Sequence, residues 1–219
     1  MRIDSYLSNF FNFLFPVRCT ICKNTGSYLC VVCRLKLPLA PPPAQKEIEA
    51  ILDYHTKEIK KIIWKLKYKN ISGISKVFGE ILYEYMIPKI SESVLFDRNK
   101  KFILIPIPLS KEKLHKRGFN QMDIIAKEIE KLDKNQFIEY SPSVLVKIRD
   151  TSPQMEIRNR EDRLANVIGS FFVSDKNYIS GKPVILIDDV TTTGATLMEA
   201  RKELLSAGAQ NVWAIAIAH

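Results

Sequence analysis

The 219-residue sequence lacks long hydrophobic runs and internal repeats, and it has no cysteine outside one short segment. No apolar run approaches the roughly 20 residues that cross a bilayer, which excludes a membrane span. The apolar segment 10–15 is too short for that role, and Asp4 upstream of it does not fit a secretory signal. We expect a cytoplasmic protein in which residues 10–15 form a short docked helix that Pro16 ends. A helix on the membrane surface is the alternative, although Arg2 supplies the positive charge there alone.

Acidic residues are outnumbered: 24 Asp and Glu stand against 33 Lys and Arg, a formal net charge of +9. Such an excess favours polyanionic partners, including nucleic acid. The basic residues are concentrated in two segments, 57–69 and 98–117, and are not spread along the chain. The hydrophobic fraction of 46% is that of a globular protein, so we expect a folded chain with an ordinary core.

The four cysteines form two C-x-x-C pairs within 15 residues, namely Cys19, Cys22, Cys30 and Cys33. Two such pairs supply four thiolates at the spacing of a tetrahedral zinc site, and four protein ligands make that site structural. Disulfides are the alternative, but they need an oxidising compartment and nothing in the sequence signals export. The proline-rich segment 38–43 follows as a stiff connection. We therefore predict an N-terminal helix and four-cysteine zinc-binding module over residues 1–43, and a second domain over 44–219.

The most informative segment is a run of four aliphatic residues, 184–187, that leads directly into Asp188 and Asp189. The run predicts a buried parallel strand, and ligands of open α/β sheets bind at the carboxyl ends of such strands. The hydroxyl-rich loop that follows offers backbone N–H groups and a helix N-terminus to a phosphate. The two carboxylates suit ribose hydroxyls or a hydrated magnesium ion. The predicted phosphate-binding residues are Thr191, Thr192, Thr193, Gly194, Ala195 and Thr196.

An ordinary strand–turn–helix crossover is the competing interpretation of this segment. A threonine-rich helix cap explains Thr193 or Thr196, but it does not explain two adjacent acids at the end of a strand. We therefore favour a ligand site, and we expect Asp188 and Asp189 to be its catalytic residues if the protein is an enzyme.

A second strand, predicted over 102–105, ends in a proline-containing turn and a basic loop over 111–117. A basic loop that leaves a parallel strand is suited to a pyrophosphate. The predicted pyrophosphate-side residues are Pro106, Lys116 and Arg117. Asn120 is the predicted N-cap of the next helix.

Helical spacing of Ile59, Ile62, Ile63 and Leu66 predicts a helix from residue 56 onward with one buried face. Its other face interleaves lysines with aromatic residues, which single-stranded nucleic acid binds through its phosphates and bases. A solvated lysine face with Trp64 packed on a neighbouring element is the alternative, and we favour it for this helix alone. The predicted nucleic-acid-binding residues are Lys60, Lys61, Trp64, Lys67, Lys111 and Lys113.

The remaining pattern completes an α/β fold. We predict a helix over 71–85 that Pro88 ends, a helix over 196–205, and strands over 50–54, 143–148, 166–173 and 212–218. Residues 149–163 are polar and lack apolar periodicity, so we predict a long loop near the ligand.

The order of these motifs resembles the competence protein F (ComF) family of phosphoribosyltransferase-like proteins. The pattern at Asp188-Asp189 and Thr193-Gly194-Ala195-Thr196 resembles the phosphoribosyl pyrophosphate (PRPP) motif of type I phosphoribosyltransferases. Further matching segments are 14–16, the two C-x-x-C pairs, 65–68, 106–110, the Arg-Gly-Phe-Asn-Gln string 117–121, and Gln154 with Arg163 and Asn166. The resemblance implies a type I phosphoribosyltransferase-like parallel sheet with flanking helices and an N-terminal zinc ribbon with four cysteine ligands.

For function, the resemblance implies natural transformation, incoming single-stranded DNA as a partner, competence-machinery proteins as further partners, and a PRPP or related phosphoribosyl ligand with magnesium. Two alternatives stay open: an active phosphoribosyltransferase with an unknown acceptor, and a regulator that senses PRPP. Thr192 stands where purine-type enzymes of this class carry an aspartate, and a threonine cannot act as a general base near neutral pH. One subclass of transferase is thereby excluded.

Overall fold

The computed structural model describes residues 16–43, 45–68, 72–97, 100–149 and 167–219. Within these residues a five-stranded parallel sheet carries helices on both faces, and a separate two-stranded antiparallel sheet lies beside it. The predicted α/β fold is confirmed. The expected helix over 10–15 lies outside the described residues, as does the predicted loop 149–163 except for Arg149.

The described elements are seven strands and seven helices, mixed along the chain. The strands are β1 (Ile48–Leu52), β2 (Phe102–Pro106), β3 (Ile138–Tyr140), β4 (Leu145–Lys147), β5 (Phe171–Val173), β6 (Pro183–Val190) and β7 (Asn211–Ala218). The helices are α1 (Val31–Leu35), α2 (Lys57–Tyr68), α3 (Ser72–Phe96), α4 (Lys111–Arg117), α5 (Gln121–Leu132), α6 (Lys176–Ile179) and α7 (Ala195–Ser206).

The strand order places β6 at the centre of the main sheet. The order is β1-β7-β6-β2-β3, and every pairing in it is parallel. The chain leaves β2 through α5 to reach β3 on one side, and it leaves β6 through α7 to reach β7 on the other. The carboxyl ends of β2 and β6 therefore flank a topological switch point, which is where open α/β sheets bind ligands.

Successive side chains of β6 point alternately into two layers of the core, one on each face of the sheet. Ile185 and Ile187 pack with buried residues of α2, α3 and α5. Val184 and Leu186 pack with α7 and with the two-stranded β4–β5 sheet on the opposite face. Because successive side chains of a strand point to opposite faces, this alternation also decides which way the residues at the end of β6 point.

The predicted end of a helix at Pro88 is wrong, because α3 runs through this proline to Phe96. A proline inside a helix removes one backbone hydrogen bond. Here the apolar stripe continues beyond it: Met86, Ile90 and Val94 are all buried in the core. Their burial offsets the lost bond. Among the described helices, none combines the length and apolar character needed to cross a bilayer.

The basic segment after β2 is a short helix, α4, and not the predicted loop. The Ser110 side chain caps its start by accepting a hydrogen bond from the Lys113 N–H at 3.3 Å, and Gly118 ends it with φ +76°. No residue of α4 is buried. The segment therefore has no apolar stripe, which is the signal by which helices are predicted.

Other predictions hold within a few residues. Asn120 caps α5 as expected, accepting a hydrogen bond from the Met122 N–H at 3.0 Å. The strand predicted over 50–54 is β1, two residues earlier, and the predicted strand 143–148 is β4. The strand predicted over 166–173 is confined to β5, since a turn with Gly169 at φ +65° precedes it.

Candidate functional site

The two adjacent acids lie at the carboxyl end of β6, at the switch point of the sheet. They point to opposite faces. Asp189 is 6% exposed and faces the layer of α2 and α5, whereas Asp188 is half-buried and lies on the α7 side. The two carboxylates therefore have different environments.

Asp189 is bound within the protein through both of its carboxylate oxygens. Lys67 Nζ lies 2.9 Å from Asp189 Oδ1, and Gln121 Nε2 donates a hydrogen bond to Asp189 Oδ2. Burial lowers the pKa of Lys67, but the charge of Asp189 outweighs this and raises it above its ordinary value. This corrects the expectation that Lys67 lies on the exposed face of α2 with Lys60 and Lys61. A buried carboxylate needs a partner of opposite charge, and Lys67 supplies it.

Asp188 is partly buried at the end of β6, and it is the more exposed of the two acids. It accepts a hydrogen bond from the Asp189 N–H at 2.8 Å. Burial, together with the negative charge of Asp189, raises the pKa of Asp188 to about 7. A cation beside Asp188 would favour its charged form. The position therefore suits a hydrated metal ion or sugar hydroxyls.

The loop after β6 is held in place from two sides. The Thr191 N–H donates to the Ala218 carbonyl at 2.9 Å, and Gln45 Nε2 donates to the Thr193 carbonyl at 2.6 Å. Gly194 has φ +76°, and a Cβ at this position would lie 2.6 Å from Ile48 Cδ1. The loop thus needs glycine here, and its backbone is fixed as it enters α7.

The hydroxyl groups of this loop differ in exposure. Thr191 is buried, Thr192 is exposed, and Thr193 and Thr196 are half-buried. Thr193 Oγ1 accepts a weak hydrogen bond from the Ala195 N–H at 3.4 Å. Thr192, Thr193 and Thr196 are at least partly exposed beside the first turn of a twelve-residue helix, where a phosphate binds.

The segment after β2 is fastened beside this loop. The Ile107 N–H donates to the Ile187 carbonyl at 2.9 Å, and Asn120 Nδ2 donates to the Ile107 carbonyl at 3.0 Å. Pro106 is buried as the last residue of β2, so it shapes the strand end and does not present a side chain to solvent. Lys116 is exposed at the end of α4.

Arg117 is directed toward other residues of the site. Its guanidinium lies 5.4 Å from the centre of the Tyr68 ring, and its Nη1 donates to Gln121 Oε1 at 3.2 Å. Arg117, Gln121 and Asp189 are therefore joined by successive hydrogen bonds. The contact between Arg117 and the Tyr68 ring also places the end of α2 beside the end of α4.

The other predicted nucleic-acid-binding residues lie on the surfaces of α2 and α4. Lys60, Lys61 and Lys111 are exposed, Lys113 is half-buried, and the Trp64 side chain is 51% exposed. Sequence reasoning missed Gln45, Tyr68 and Gln121 as members of the site. The Arg-Gly-Phe-Asn-Gln string contained Gln121, but nothing in the sequence connects it with Asp189, 68 positions away.

The four cysteines form one cluster. Their sulfur atoms all lie within 4.8 Å of one another, and Cys22 Sγ lies 3.6 Å from Cys30 Sγ. Zinc–sulfur bonds of about 2.3 Å in a tetrahedron place neighbouring sulfurs roughly 3.8 Å apart, so the thiols fit one zinc ion. Burial raises the pKa of Cys19, but hydrogen bonds from the backbone N–H groups of Cys30, Cys22 and Ile21 lower it to about 6.

The cysteine cluster is packed into the body of the protein. Cys19, Leu29 and Cys33 belong to the same core layer as α2 and α3. Arg34 of α1 forms ion pairs with two glutamates of α3, Glu80 at 2.9 Å and Glu84 at 2.7 Å. The segment is therefore joined to the helices on one face of the sheet.

The fold and the site define an α/β protein of the open parallel-sheet class, with a cysteine cluster suited to zinc. Comparison with known proteins narrows this class. The chain is 39% identical over 110 residues to competence protein ComFC of Bacillus subtilis (strain 168). The aligned region covers 50% of this chain and 41% of that protein. It is 26% identical over 170 residues to competence protein F of Haemophilus influenzae, covering 76% of this chain and 71% of that protein.

A third relative matches over nearly the full length of both chains. The DNA utilization protein YhgH of Escherichia coli (strain K12) is 25% identical over 215 residues, covering 90% of this chain and 88% of that protein. No protein-family model matches the chain. The chain is therefore similar to competence proteins and to DNA utilization proteins.

Proposed function

We propose that the protein binds PRPP or a related phosphoribosyl ligand with magnesium at the end of β6, and that it handles incoming single-stranded DNA in natural transformation. The observation that carries the ligand proposal is the position of Asp188 and the loop 191–196. Both lie at the switch point of the sheet, and Gln45 and Gly194 fix the loop backbone. The names of the relatives, competence protein and DNA utilization protein, support the DNA role.

The arrangement matches the parts of a phosphoribosyl group. The loop hydroxyls and the first turn of α7 suit the 5-phosphate. Asp188 suits the ribose hydroxyls and a hydrated magnesium ion, whose chemistry would be to neutralise pyrophosphate oxygens. Asp189 is held by Lys67 and Gln121, so we assign it to orienting the end of β6. Lys116 is the exposed cation on the pyrophosphate side.

The DNA proposal depends on the exposed surfaces of α2 and α4. Exposed lysines on both helices attract phosphates, and Trp64 and Tyr68 offer rings for stacked bases. The contact of Arg117 with Tyr68 makes the two helices one surface. We further propose that the four-cysteine cluster holds one structural zinc ion that stabilises the layer beneath α2.

A regulator that binds PRPP without turnover is the second candidate. The observation that favours it is the ion pair of Asp189, which occupies one of the two acids in the PRPP-like motif. Thr192, exposed in the loop, offers no general base. An active transferase would release pyrophosphate when a suitable acceptor is added, whereas a regulator would bind magnesium–PRPP and release none.

The proposal is tested by measuring two affinities in one set of proteins. Magnesium–PRPP binding is measured by calorimetry, and single-stranded DNA binding by fluorescence anisotropy at several salt concentrations. We expect Asp188→Asn to weaken PRPP binding at least tenfold. We expect Lys60→Ala/Lys61→Ala to reduce the slope of log affinity against log salt by about 1.4, since each phosphate contact in single strands contributes roughly 0.7.

The matched control is Lys131→Ala/Lys134→Ala, which removes two lysines at and just beyond the carboxyl end of α5. This variant should leave both affinities unchanged. If the parent protein does not bind single-stranded DNA, the DNA proposal is wrong. If it does not bind PRPP, the ligand proposal is wrong. Repeating the DNA titration with magnesium–PRPP shows whether the two functions are coupled.

A further inference from the structure

The two C-x-x-C pairs are fastened to different helices. In the first pair, Thr20 lies between the two cysteines, and its hydroxyl oxygen accepts a hydrogen bond from Lys65 Nζ of α2 at 3.3 Å. Beside the second pair, Arg34 forms ion pairs with Glu80 and Glu84 of α3. The cysteine cluster therefore lies between α2 and α3, and a change in how its thiols are bound acts on both helices.

The four thiols differ in their access to solvent. Cys19 is 0% exposed and Cys33 is 8% exposed. Cys30 is half-buried, and Cys22 is exposed. Because the oxidation of a cysteine follows its exposure, a dissolved oxidant reaches Cys22 before the other three.

The exposed thiol is in contact with a partner for a disulfide. Cys22 Sγ lies 3.6 Å from Cys30 Sγ, so a bond between them needs only a small movement of an exposed side chain. Two ammonium groups border the first pair: Lys23 Nζ donates to the Thr20 carbonyl at 3.1 Å, and Lys65 Nζ donates to the Thr20 hydroxyl. Cations beside a cysteine favour its thiolate, which is the reactive form.

We propose that the cysteine cluster is a redox-sensitive metal site, in which a peroxide joins Cys22 to Cys30 by a disulfide and the metal is released. This inference rests on the proposed zinc ion, and it adds the condition under which the chain loses it. The disulfide withdraws two of the four ligands, and the two buried thiols that remain do not complete a tetrahedral site.

The reaction consumes one hydrogen peroxide molecule for each disulfide. The Cys22 thiolate attacks one peroxide oxygen, the O–O bond breaks, and a sulfenic acid and a hydroxide ion form. The Cys30 thiolate then attacks the Cys22 sulfur, the S–O bond breaks, and a second hydroxide ion leaves. Each hydroxide ion takes up one proton and becomes water. The two sulfurs together lose two electrons, which reduce the two peroxide oxygens.

The oxidised protein should have a stability between those of two other forms. Cys33 of α1 loses its bond to the metal, so the oxidised protein should unfold at a lower temperature than the zinc-bound protein. The disulfide still restricts the unfolded chain, so the oxidised protein should unfold at a higher temperature than the reduced, metal-free protein.

The experiment treats the whole zinc-loaded chain with hydrogen peroxide and follows the released metal with a coloured chelator. Peptide mapping by mass spectrometry under non-reducing conditions locates the disulfide. We expect the chain to release its zinc ion and to form the Cys22–Cys30 disulfide, while Cys19 and Cys33 remain thiols. Reduction with dithiothreitol followed by addition of zinc should restore the original protein.

Two variants with the same substitution separate the exposed thiol from a buried one. Cys22→His keeps four zinc ligands, since three cysteines and one histidine are a common structural set, but it has no exposed thiol to oxidise. It should bind zinc and release it at least about tenfold more slowly than the parent. The matched control is Cys33→His, which keeps Cys22 and Cys30 and should release zinc as fast as the parent.

A third variant tests the order of the two steps without changing a buried position. Cys30→His should bind zinc but lack the thiol that resolves the sulfenic acid. Peroxide should therefore leave a sulfenic acid at Cys22, which dimedone labels and mass spectrometry detects.

Three outcomes overturn the inference while the zinc proposal stands. In the first, the parent keeps its metal at peroxide concentrations that oxidise glutathione. In the second, the disulfide forms within either C-x-x-C pair. In the third, Cys22→His releases zinc as fast as the parent. If the purified chain binds no zinc at all, the zinc proposal fails as well.

Discussion

Lys67 Nζ lies 2.9 Å from Asp189 Oδ1, and this ion pair connects helix α2 with the end of the central strand. The Asp189 side chain is 9% exposed and that of Lys67 is 20% exposed. The pair is therefore largely shielded from solvent, and its two charges depend on each other.

Removing Lys67 should destabilise the protein strongly. Lys67→Met leaves Asp189 buried without its counterion, and breaking such a pair costs about 3–5 kcal/mol. We expect a loss near the lower end of that range in urea unfolding, because the Lys67 side chain keeps some contact with solvent. Adding Asp189→Asn to this variant should restore part of the loss.

The control for this prediction is Lys60→Met on the exposed face of the same helix. It should change the free energy of unfolding by no more than about 0.5 kcal/mol. Equal effects of Lys67→Met and Lys60→Met would falsify the assignment of the ion pair.

Replacing Gly194 by alanine should damage both stability and ligand binding. An alanine in the left-handed region costs roughly 1–2 kcal/mol, and here its Cβ would also meet Ile48 Cδ1 at 2.6 Å. Gly181→Ala is the matched control, because Gly181 has φ +72° and nothing within 4 Å of the added Cβ. Urea unfolding should show a larger loss of stability for Gly194→Ala than for Gly181→Ala. PRPP titrations should show weaker binding in Gly194→Ala alone.

Removal of zinc should loosen the layer that contains α2 and α3. Cys19 and Cys33 are part of that core layer, so loss of the metal exposes apolar surface there. We expect one zinc per chain by mass spectrometry. We expect Cys33→Ser to lose the metal and to lower the unfolding temperature by at least about 4 °C. For a chain of this size, such a shift corresponds to a loss of roughly 1–2 kcal/mol in the free energy of unfolding. Val31→Ala, at an exposed position of α1, should keep the metal; an unchanged unfolding temperature in metal-free protein contradicts the proposal.

Glu49 should make stability depend on pH in the acid range. Burial raises the pKa of Glu49, but hydrogen bonds from Lys89 at 2.7 Å and Tyr85 at 2.7 Å outweigh it and lower the pKa below 4.5. Because the pKa is depressed in the folded state, the stabilisation is complete above pH 4.5 and is lost as the pH falls through the folded pKa. The stability difference between parent and Glu49→Gln should therefore shrink below pH 4.5.

The control for the pH dependence is Glu47→Gln, two residues earlier and exposed. The difference in the free energy of unfolding between Glu47→Gln and the parent should be small at every pH. A difference between parent and Glu49→Gln that grows as the pH falls would show that the sign of the effect is wrong.

The sequence predicted those elements whose patterns are local. The run 184–187 has two apolar faces and is a central strand, and the spacing of Ile59, Ile62 and Leu66 predicts the buried face of α2 correctly. The Asn120 cap was also correct, because capping depends on neighbouring residues. The prediction from the local sequence was wrong at Pro88, because packing against distant elements decides how long the helix continues.

The contacts that form the site were not predictable in this way. Gln45 reaches Thr193 across 148 positions, and no local pattern marks a glutamine as a loop support. Lys67 belonged to a run of lysines that all looked exposed, and its inward direction follows from the position of Asp189 in the folded sheet. Such pairings are consequences of topology.

The alternation of β6 makes its two terminal acids neighbours in sequence but members of different layers. A single-residue insertion upstream in this strand would exchange them between the layers. Asp189 would then face α7, and Asp188 would take its place opposite the ammonium group of Lys67. The length of β6 is therefore under as strict a constraint as the identity of the acids, and natural or engineered insertions should be confined to the loops at its ends.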